Sequence, residues 1–476
     1  MTPRRVLLSD GSGVSSAQVA RLLGEDGHHV EVLDSGGALL TRSIRWVRAV
    51  HAVPPFGADP FAWLNAALQV LERGGFDALL ATQEQVAVLA LEAHRVRDLG
   101  VGLAVPDFTA LARVQDKAEA WRTLRELGLP HPVTKLVAKP EDLLTQVDLP
   151  GYVKTRIGTG SRGVRLVRDR ADLVRVAVEF AGEADHGGIL VQERLDGPLV
   201  MVQSVFDRGR LVAWHAALRV REGVGGAALV KEGVDLPAVA EHLAVLGSDL
   251  GWHGALSADA VLTPDGPAYI DLNPRLVEPG NARRCGTDLT GALLRVSLGE
   301  SPVPQPNRFG QRTHQLLLAL LTAASRGRAA VLGELASVAL RRGGAEELTP
   351  PWRDRWAAVL LAKATALLLA NPKRARLLAD GTVGDYALTA DGWRRLCEVH
   401  GNHNDPADPA DPADRADPVG PADPTDPVDP ADPADPAAAD NPAAAPAANL
   451  AADPVEYSPC AGTLDHPPPD RADHPR

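Results

Sequence analysis

Two different periodicities divide this sequence, and the change from one to the other falls near Pro150. Before it, apolar strand-like runs alternate with helical ones: RRVLLSD, SSAQVARLLGEDG, HHVEVLD, a helix around PFAWLNAALQVLERGG, FDALLAT and VGLAVP. Strands separated by helices read as crossover units, so residues 1–106 predict an α/β domain with a parallel sheet. After Pro150 the strand-like runs GYVKTRI, GVRLVRD, GILVQERL, LVMVQSVFD, RLVAWHAALRV and AYIDLN appear, several joined by turns such as 207-DRGR-210 and 264-PDGP-267. That pattern predicts antiparallel α+β structure. The stretch 107-DFTALARVQDKAEAWRTLRELG-128 reads as one helix stopped by Gly128 and Pro130. The expected fold class is therefore α/β plus α+β: an N-terminal domain over 1–106, an α+β core over 107–300, a helical segment over 301–400 and a Pro/Asp/Ala tail over 401–476.

The formal charge of −12 is unevenly placed. Residues 402–476 hold 16 of the 61 acids and 3 of the 49 basic residues, which leaves 45 acids against 46 bases in the remainder. A near-neutral body argues against a nucleic-acid surface, which needs a clustered basic excess. The tail cannot build a core and is expected to be extended and disordered, either a solubilising appendage or an arm that docks an unknown partner. Three distant cysteines, Cys285, Cys397 and Cys460, suit a reducing cytoplasm and no disulfide framework. MTPRRVLLSD enters a strand pattern without an apolar leader, and the longest apolar run, 357-AAVLLAKATALLLA-370, is too short to span a bilayer, so no membrane is expected.

Three stretches carry chemistry. In 158-GTGSRG-163 the glycines are followed by VRLVRD, which reads as a strand, so this is a hairpin loop rather than a dinucleotide turn. Such a loop can fold over phosphates with its N–H groups, with Ser161 and Arg162 as further donors and Lys154 on the preceding strand; the alternative is an ordinary mobile hairpin. The turn 11-GSGVSSA-17, with Asp34 ending the next strand, satisfies the dinucleotide context and keeps an NAD(P)-dependent oxidoreductase open. In 269-YIDLNPRLVEPGNA-282, alternate residues of an extended run share a face, which groups Asp271, Asn273 and Arg275. A hairpin through TPDGP would bring Asp259 beside Asp271. Two carboxylates and an amide oxygen suit Mg²⁺ or Mn²⁺ shared with phosphates, and Arg275 suits a phosphate or acyl-phosphate oxygen.

Taken in order, these elements from about Leu111 to Gly299 resemble the ATP-grasp superfamily, in particular its biotin carboxylase, carbamoyl-phosphate synthetase and carboxylate-amine ligase members. The resemblance implies an N-terminal domain ahead of an ATP-grasp core, with a lid subdomain at about 130–195. It implies that Lys117 in 115-QDKAEAW-121 and Lys154 hold ATP together with Gly158, Gly160, Ser161 and Gly163. Glu193, Arg194 and Leu195 in 191-VQERLDG-197 match the hinge that holds adenine. Asp259, Asp271 and Asn273 match the metal ligands, with Arg275 and Lys154 as catalytic groups; the family more often has Glu at both carboxylate positions.

The function implied by this resemblance is an ATP- and Mg²⁺-dependent ligase that converts a carboxylate into an acyl phosphate for attack by an amine. Its partners would be small-molecule acids and amines, with a homodimer also open. Arg219, Arg221 and Arg283 are candidate substrate contacts or exposed loop residues. A non-catalytic ATP-binding scaffold is the other alternative.

Overall fold

The N-terminal strands pair as the alternation of strand and helix requires. In the computed structural model, which describes residues 2–404 apart from 38, 224–225, 304, 306, 340–343, 374 and 376–382, β1 (Arg5–Leu8), β2 (His29–Asp34), β3 (Val47–Ala52) and β4 (Ala78–Leu80) form a parallel sheet in the order β3-β2-β1-β4. Val6, Leu7 and Leu8 are wholly buried, as a parallel strand covered on both faces should be. Sequence reading missed β3, an edge strand whose apolar run is broken by Arg48 and His51. It also expected a strand at VGLAVP. Only a single parallel bridge forms there, between Gly102 and Ala78, where the backbone at 102 packs so closely on the Ser297 carbonyl that a side chain would collide.

The stretch 107–128 is two helices, Phe108–Gln115 and Lys117–Glu126, rather than one. Asp116 adopts an extended conformation between them and accepts hydrogen bonds from the N–H groups of Ala118 and Glu119. A carboxylate that caps the second helix competes with continuation of the first. Lys117 thereby becomes the first residue of a helix.

Residues 134–193 build a small antiparallel sheet of their own. β5 (Thr134–Val137), β6 (Gly151–Thr155), β7 (Val164–Val167) and β8 (Ile189–Glu193) run in the order β5-β8-β6-β7. Val137, Leu143, Val153, Val167, Leu173, Val176, Phe180 and Ile189 make a separate apolar cluster under it. β6 and β7 are antiparallel partners, so the Gly-rich stretch between them is a hairpin loop, as its sequence context indicated.

The largest sheet has seven strands. β9 (Leu199–Asp207), β10 (Arg210–Glu222), β11 (Ala228–Gly233), β12 (Gly254–Thr263), β13 (Gly266–Asn273), β14 (Arg312–His314) and β15 (Ala345–Glu346) lie in the order β13-β12-β9-β10-β11-β14-β15. The last two come from the segment expected to be helical; three-residue and two-residue strands leave no period to read. Val202, Phe206, Trp252 and Leu256 share one core with Leu7, Leu79, Phe56 and Trp63 of the N-terminal domain. Each such buried side chain contributes about 2 kcal/mol, and together they hold the ends of β1 and β4 near the β12–β13 hairpin.

Helices Leu316–Ser325, Arg328–Ala339, Arg355–Ala370 and Ala390–Asn404 follow. The last runs through Gly401, where the tail was expected to begin, and the rest of that tail lies outside the described residues. Among the described residues no helix is long and apolar enough to cross a membrane.

Candidate functional site

β12 and β13 place the acidic residues first. Asp259 stands directly opposite Asp271, and Ser257 opposite Asn273, a register that brings opposed Cβ atoms to about 5 Å. The carboxylate of Asp271 and the amide of Asn273 take no hydrogen bond from the described residues, so their oxygens remain available as ligands. Asp259 accepts from Arg219 on β10 at 2.6 Å. Among the described residues no three His, Cys, Asp or Glu side chains converge as a metal cage. The donor set is instead two carboxylates and an amide oxygen, which fits Mg²⁺ completed by phosphate and water.

Two lysines lie at this strand pair and at the Gly-rich loop. Lys154, on β6, is buried and donates to the Ile270 carbonyl of β13 at 2.8 Å, bridging the small sheet and the large one. Burial pushes its pKa down to about 8; Asp271 and Asp259 oppose the shift and Lys117 adds to it. Lys117 donates to the Gly158 carbonyl at 2.8 Å. The helix it begins is tied to β6 by Arg156, which donates to Asp116 at 2.8 Å and to Glu119 at 3.1 Å.

Between these lysines the loop 158–163 folds back tightly. Thr155 N–H donates to the Gly163 carbonyl at 2.8 Å, and a Cβ at 163 would overlap the Thr155 hydroxyl. Gly160 and Ser161 take positive φ angles of 61° and 65°, a geometry that turns successive N–H groups to one side. Glu193 ends β8, and with Arg194, Val133, Lys135 and Gln192 it lines a cavity of about 480 Å³. Leu195 follows on the connection to β9.

Arg275 is buried and held from the N-terminal domain. Its Nη1 lies 2.8 Å from Glu84 and its Nε donates to Gln83 at 3.1 Å. Glu84 also accepts from Gln115 at 2.9 Å and from Thr159 of the Gly-rich loop at 3.0 Å. Sequence reading did not find Gln83 and Glu84. The available signal was their position just past the carboxyl end of a parallel strand, where such sheets bind ligands.

Lys231 was also missed, although it is one of only seven lysines. It is almost wholly buried, 2.6 Å from Glu347 and 3.0 Å from Glu278. Burial alone would lower its pKa, but the two carboxylates outweigh that and hold it protonated. Burial raises the pKa of Glu347 and the Glu278 charge adds to the rise, against the pull of Lys231 and Thr313.

The structure therefore brings together Lys117, Lys154, residues 158–163, Asp259, Asp271, Asn273, Arg275 and Arg219. Two other arginines are engaged elsewhere: Arg221 with Glu334 at 2.6 Å, and Arg283 with Asp26 and, at 3.0 Å, Asp288. The turn 11–17 supplies its own anion. The Asp10 carboxylate accepts from the N–H groups of Ser12 and Gly13 and from the hydroxyls of Ser12 and Ser16, filling the place a dinucleotide phosphate would take. Burial raises the Asp10 pKa, against the pull of these hydrogen bonds.

No family model matches the chain. Carnosine synthase 1 from Mus musculus is 30% identical over 249 residues, covering 45% of this chain and 30% of the relative. A carbamoyl phosphate synthase large chain from Thermus thermophilus is 24% identical over 253 residues, covering 50% and 24%. The chain thus spans less than a third of the length of these curated relatives. Among solved structures, the biotin carboxylase domain of Hydrogenobacter thermophilus 2-oxoglutarate carboxylase superposes with a TM-score of 0.51 at 18% identity, over 65% of this chain and 73% of that one. The relatives and the superposed fold are all ATP-grasp proteins, and over about half of its length the chain resembles that superfamily.

Proposed function

We propose that the protein is an ATP- and Mg²⁺-dependent ligase that activates a carboxylate as an acyl phosphate and passes the acyl group to an amine. One observation carries this reading: Lys154 is hydrogen-bonded to the β13 backbone next to Asp271, which stands opposite Asp259, and Lys117 is hydrogen-bonded to the Gly-rich hairpin that follows Lys154. Paired carboxylates with ammonium groups and a Gly-rich loop near them are the complement of a metal-bound polyphosphate. The superposed biotin carboxylase domain was crystallised with MgADP and bicarbonate, which supports the same nucleotide and metal here.

In this reading Lys117, Lys154 and the N–H groups of Gly158, Gly160, Ser161 and Gly163 hold the phosphate chain, while Glu193, Arg194 and Leu195 hold adenine. Asp259, Asp271 and Asn273 would hold Mg²⁺, which supplies charge neutralisation of the terminal phosphates. A carboxylate oxygen attacks the terminal phosphorus, the bond to the bridging oxygen breaks, and ADP leaves. The amine nitrogen then attacks the acyl carbon, inorganic phosphate departs with the bonding electrons, and the nitrogen loses a proton. Arg275 stabilises charge on the transferred phosphoryl group. Arg219, paired with Asp259, would contact substrate, ahead of Arg221 and Arg283, which pair elsewhere. Both cysteines among the described residues are free thiols, which suits the reducing cytoplasm expected from the sequence.

The test is ADP release by the intact chain with Mg²⁺, screened against pools of amino acids and small carboxylates. Release that depends on particular pools and disappears in Asp271→Asn supports the reading. ATP binding with no pool-dependent release overturns it.

A further inference from the structure

The last turn of the first helix borders a cavity that none of the candidate nucleotide and metal residues lines. That helix, Val14–Glu25, starts at the turn 11–17, where the Ser15 hydroxyl accepts from the Glu278 N–H at 3.2 Å. Glu25, at its other end, lies roughly 15 Å from Ser15 along the axis. There Arg21, Glu25, Arg45, Trp46, Arg353 and Asp354 line a cavity of about 410 Å³, a size usual for small-molecule sites. Its walls come from three places far apart in the chain: the first helix, the turn before β3, and the segment ahead of the helix Arg355–Ala370.

Both carboxylates in these walls are already committed. Asp354 accepts from the Arg45 N–H at 3.0 Å and, as a helix cap, from the N–H groups of Trp356 and Ala357. Glu25 accepts from Arg21 at 3.2 Å. The three guanidinium groups are less well served. Arg21 is buried, yet its Nε–H has no acceptor among the described residues. Among those residues the guanidinium of Arg353 takes part in no hydrogen bond or ion pair, and that of Arg45 lies 4.0 Å over the Trp46 ring without a carboxylate partner. The indole is itself fixed, because it packs on the helix at Gly24, where a Cβ would come within 2.2 Å of the Trp46 Cβ. A guanidinium stacked on a ring keeps its N–H edges for an acceptor.

Two uncompensated guanidinium groups, beside a third with a spare buried donor, call for an anion with several oxygens and about two negative charges. A phosphate monoester near neutral pH is such a group, and the cavity has room for its organic part. We propose that this cavity is a second anion site that binds a phosphomonoester, with phosphate oxygens bridging Arg45 and Arg353. The ligand would tie the N-terminal domain to the segment ahead of the helix Arg355–Ala370. This inference goes beyond the ligase reading and does not depend on it.

The experiment titrates the intact chain with glycerol phosphate and, separately, with citrate, by calorimetry in saturating MgADP at physiological ionic strength. Glycerol phosphate should bind saturably at one site and raise the thermal midpoint, as a ligand of the folded state does. Arg45→Gln and Arg353→Gln each remove a charge-assisted contact and should each raise its Kd about tenfold. The affinity for MgADP should stay at its wild-type value in both. Arg73→Gln, at an exposed arginine on another helix, should change neither. No saturable binding at millimolar glycerol phosphate overturns the inference, and so does binding that Arg73→Gln weakens as much as Arg353→Gln, which is general charge attraction. Citrate bound through the same arginines in the absence of ester binding would make this a polycarboxylate site and overturn the assignment. If MgADP itself fails to bind, the ligase reading falls, while the response of ester binding to Arg45→Gln and Arg353→Gln still decides this inference.

Discussion

Thr159 and Glu84, 75 positions apart in the chain, are joined by a hydrogen bond of 3.0 Å that ties the Gly-rich loop to the N-terminal domain. The same carboxylate pairs with Arg275. One acid therefore sets both the position of the loop and the orientation of the buried guanidinium.

Glu84→Ala should be costly for that reason. Leaving the Arg275 guanidinium buried without its carboxylate predicts a loss of about 3 kcal/mol, read by chemical denaturation. Proteolysis of the loop 158–163 should accelerate in parallel, since Thr159 loses its acceptor. Stability within 0.5 kcal/mol of wild type, roughly the value for an ordinary surface substitution, would mean that Glu84 has no such double role.

Lys154 makes nucleotide binding sensitive to pH. Its folded pKa of about 8 lies below its ordinary value of 10.5. Between these values the unfolded chain holds a proton that the folded chain has released, so the stability of the nucleotide-free protein rises with pH across that window. Below about pH 8 the charge is present in both states, and its burial cost is felt in full. Affinity for MgATP runs the other way and weakens as pH rises through about 8. Titration calorimetry at several pH values checks this, and Lys154→Met should bind weakly with a flat profile.

Asp116 caps the helix that begins with Lys117 and receives Arg156. Asp116→Ala should cost about 1–2 kcal/mol from the lost cap. It should also raise the KM for ATP several-fold, because Lys117 is aimed by that helix start. Asp116→Asn keeps a capping oxygen and should recover most of the stability but less of the ATP affinity.

The Lys231–Glu278–Glu347 cluster predicts a different balance. Lys231→Met leaves two carboxylates buried together and should destabilise the fold by about 3–5 kcal/mol. Adding Glu347→Gln should recover part of that loss, since it removes one uncompensated charge. A double variant no more stable than the single one would contradict the shared-charge account.

How much of this was legible depended on sequence separation. Asp259, Asp271 and Asn273 could be grouped because period-2 alternation and a short turn fix which residues share a face, and the register is the one expected. The loop 158–163 was legible because a strand follows its glycines. Glu84 and Gln83 reach Arg275 from 191 and 192 positions away, and no local pattern encodes such an encounter. Lys231 meets Glu347 across the late strands β14 and β15, which are too short to show a period. Asp116 is the instructive case. Its acidic side chain stands directly before Lys117, yet the apolar spacing around it reads as one uninterrupted helix, and the cap prevails.

The central claim is that a carboxylate oxygen attacks the terminal phosphate of ATP. It is tested most directly by running the reaction with an acid labelled with ¹⁸O in its carboxylate and measuring the mass of the inorganic phosphate released. The account predicts one ¹⁸O in each phosphate and ADP as the nucleotide product. Unlabelled phosphate, or AMP and pyrophosphate in place of ADP, would contradict it.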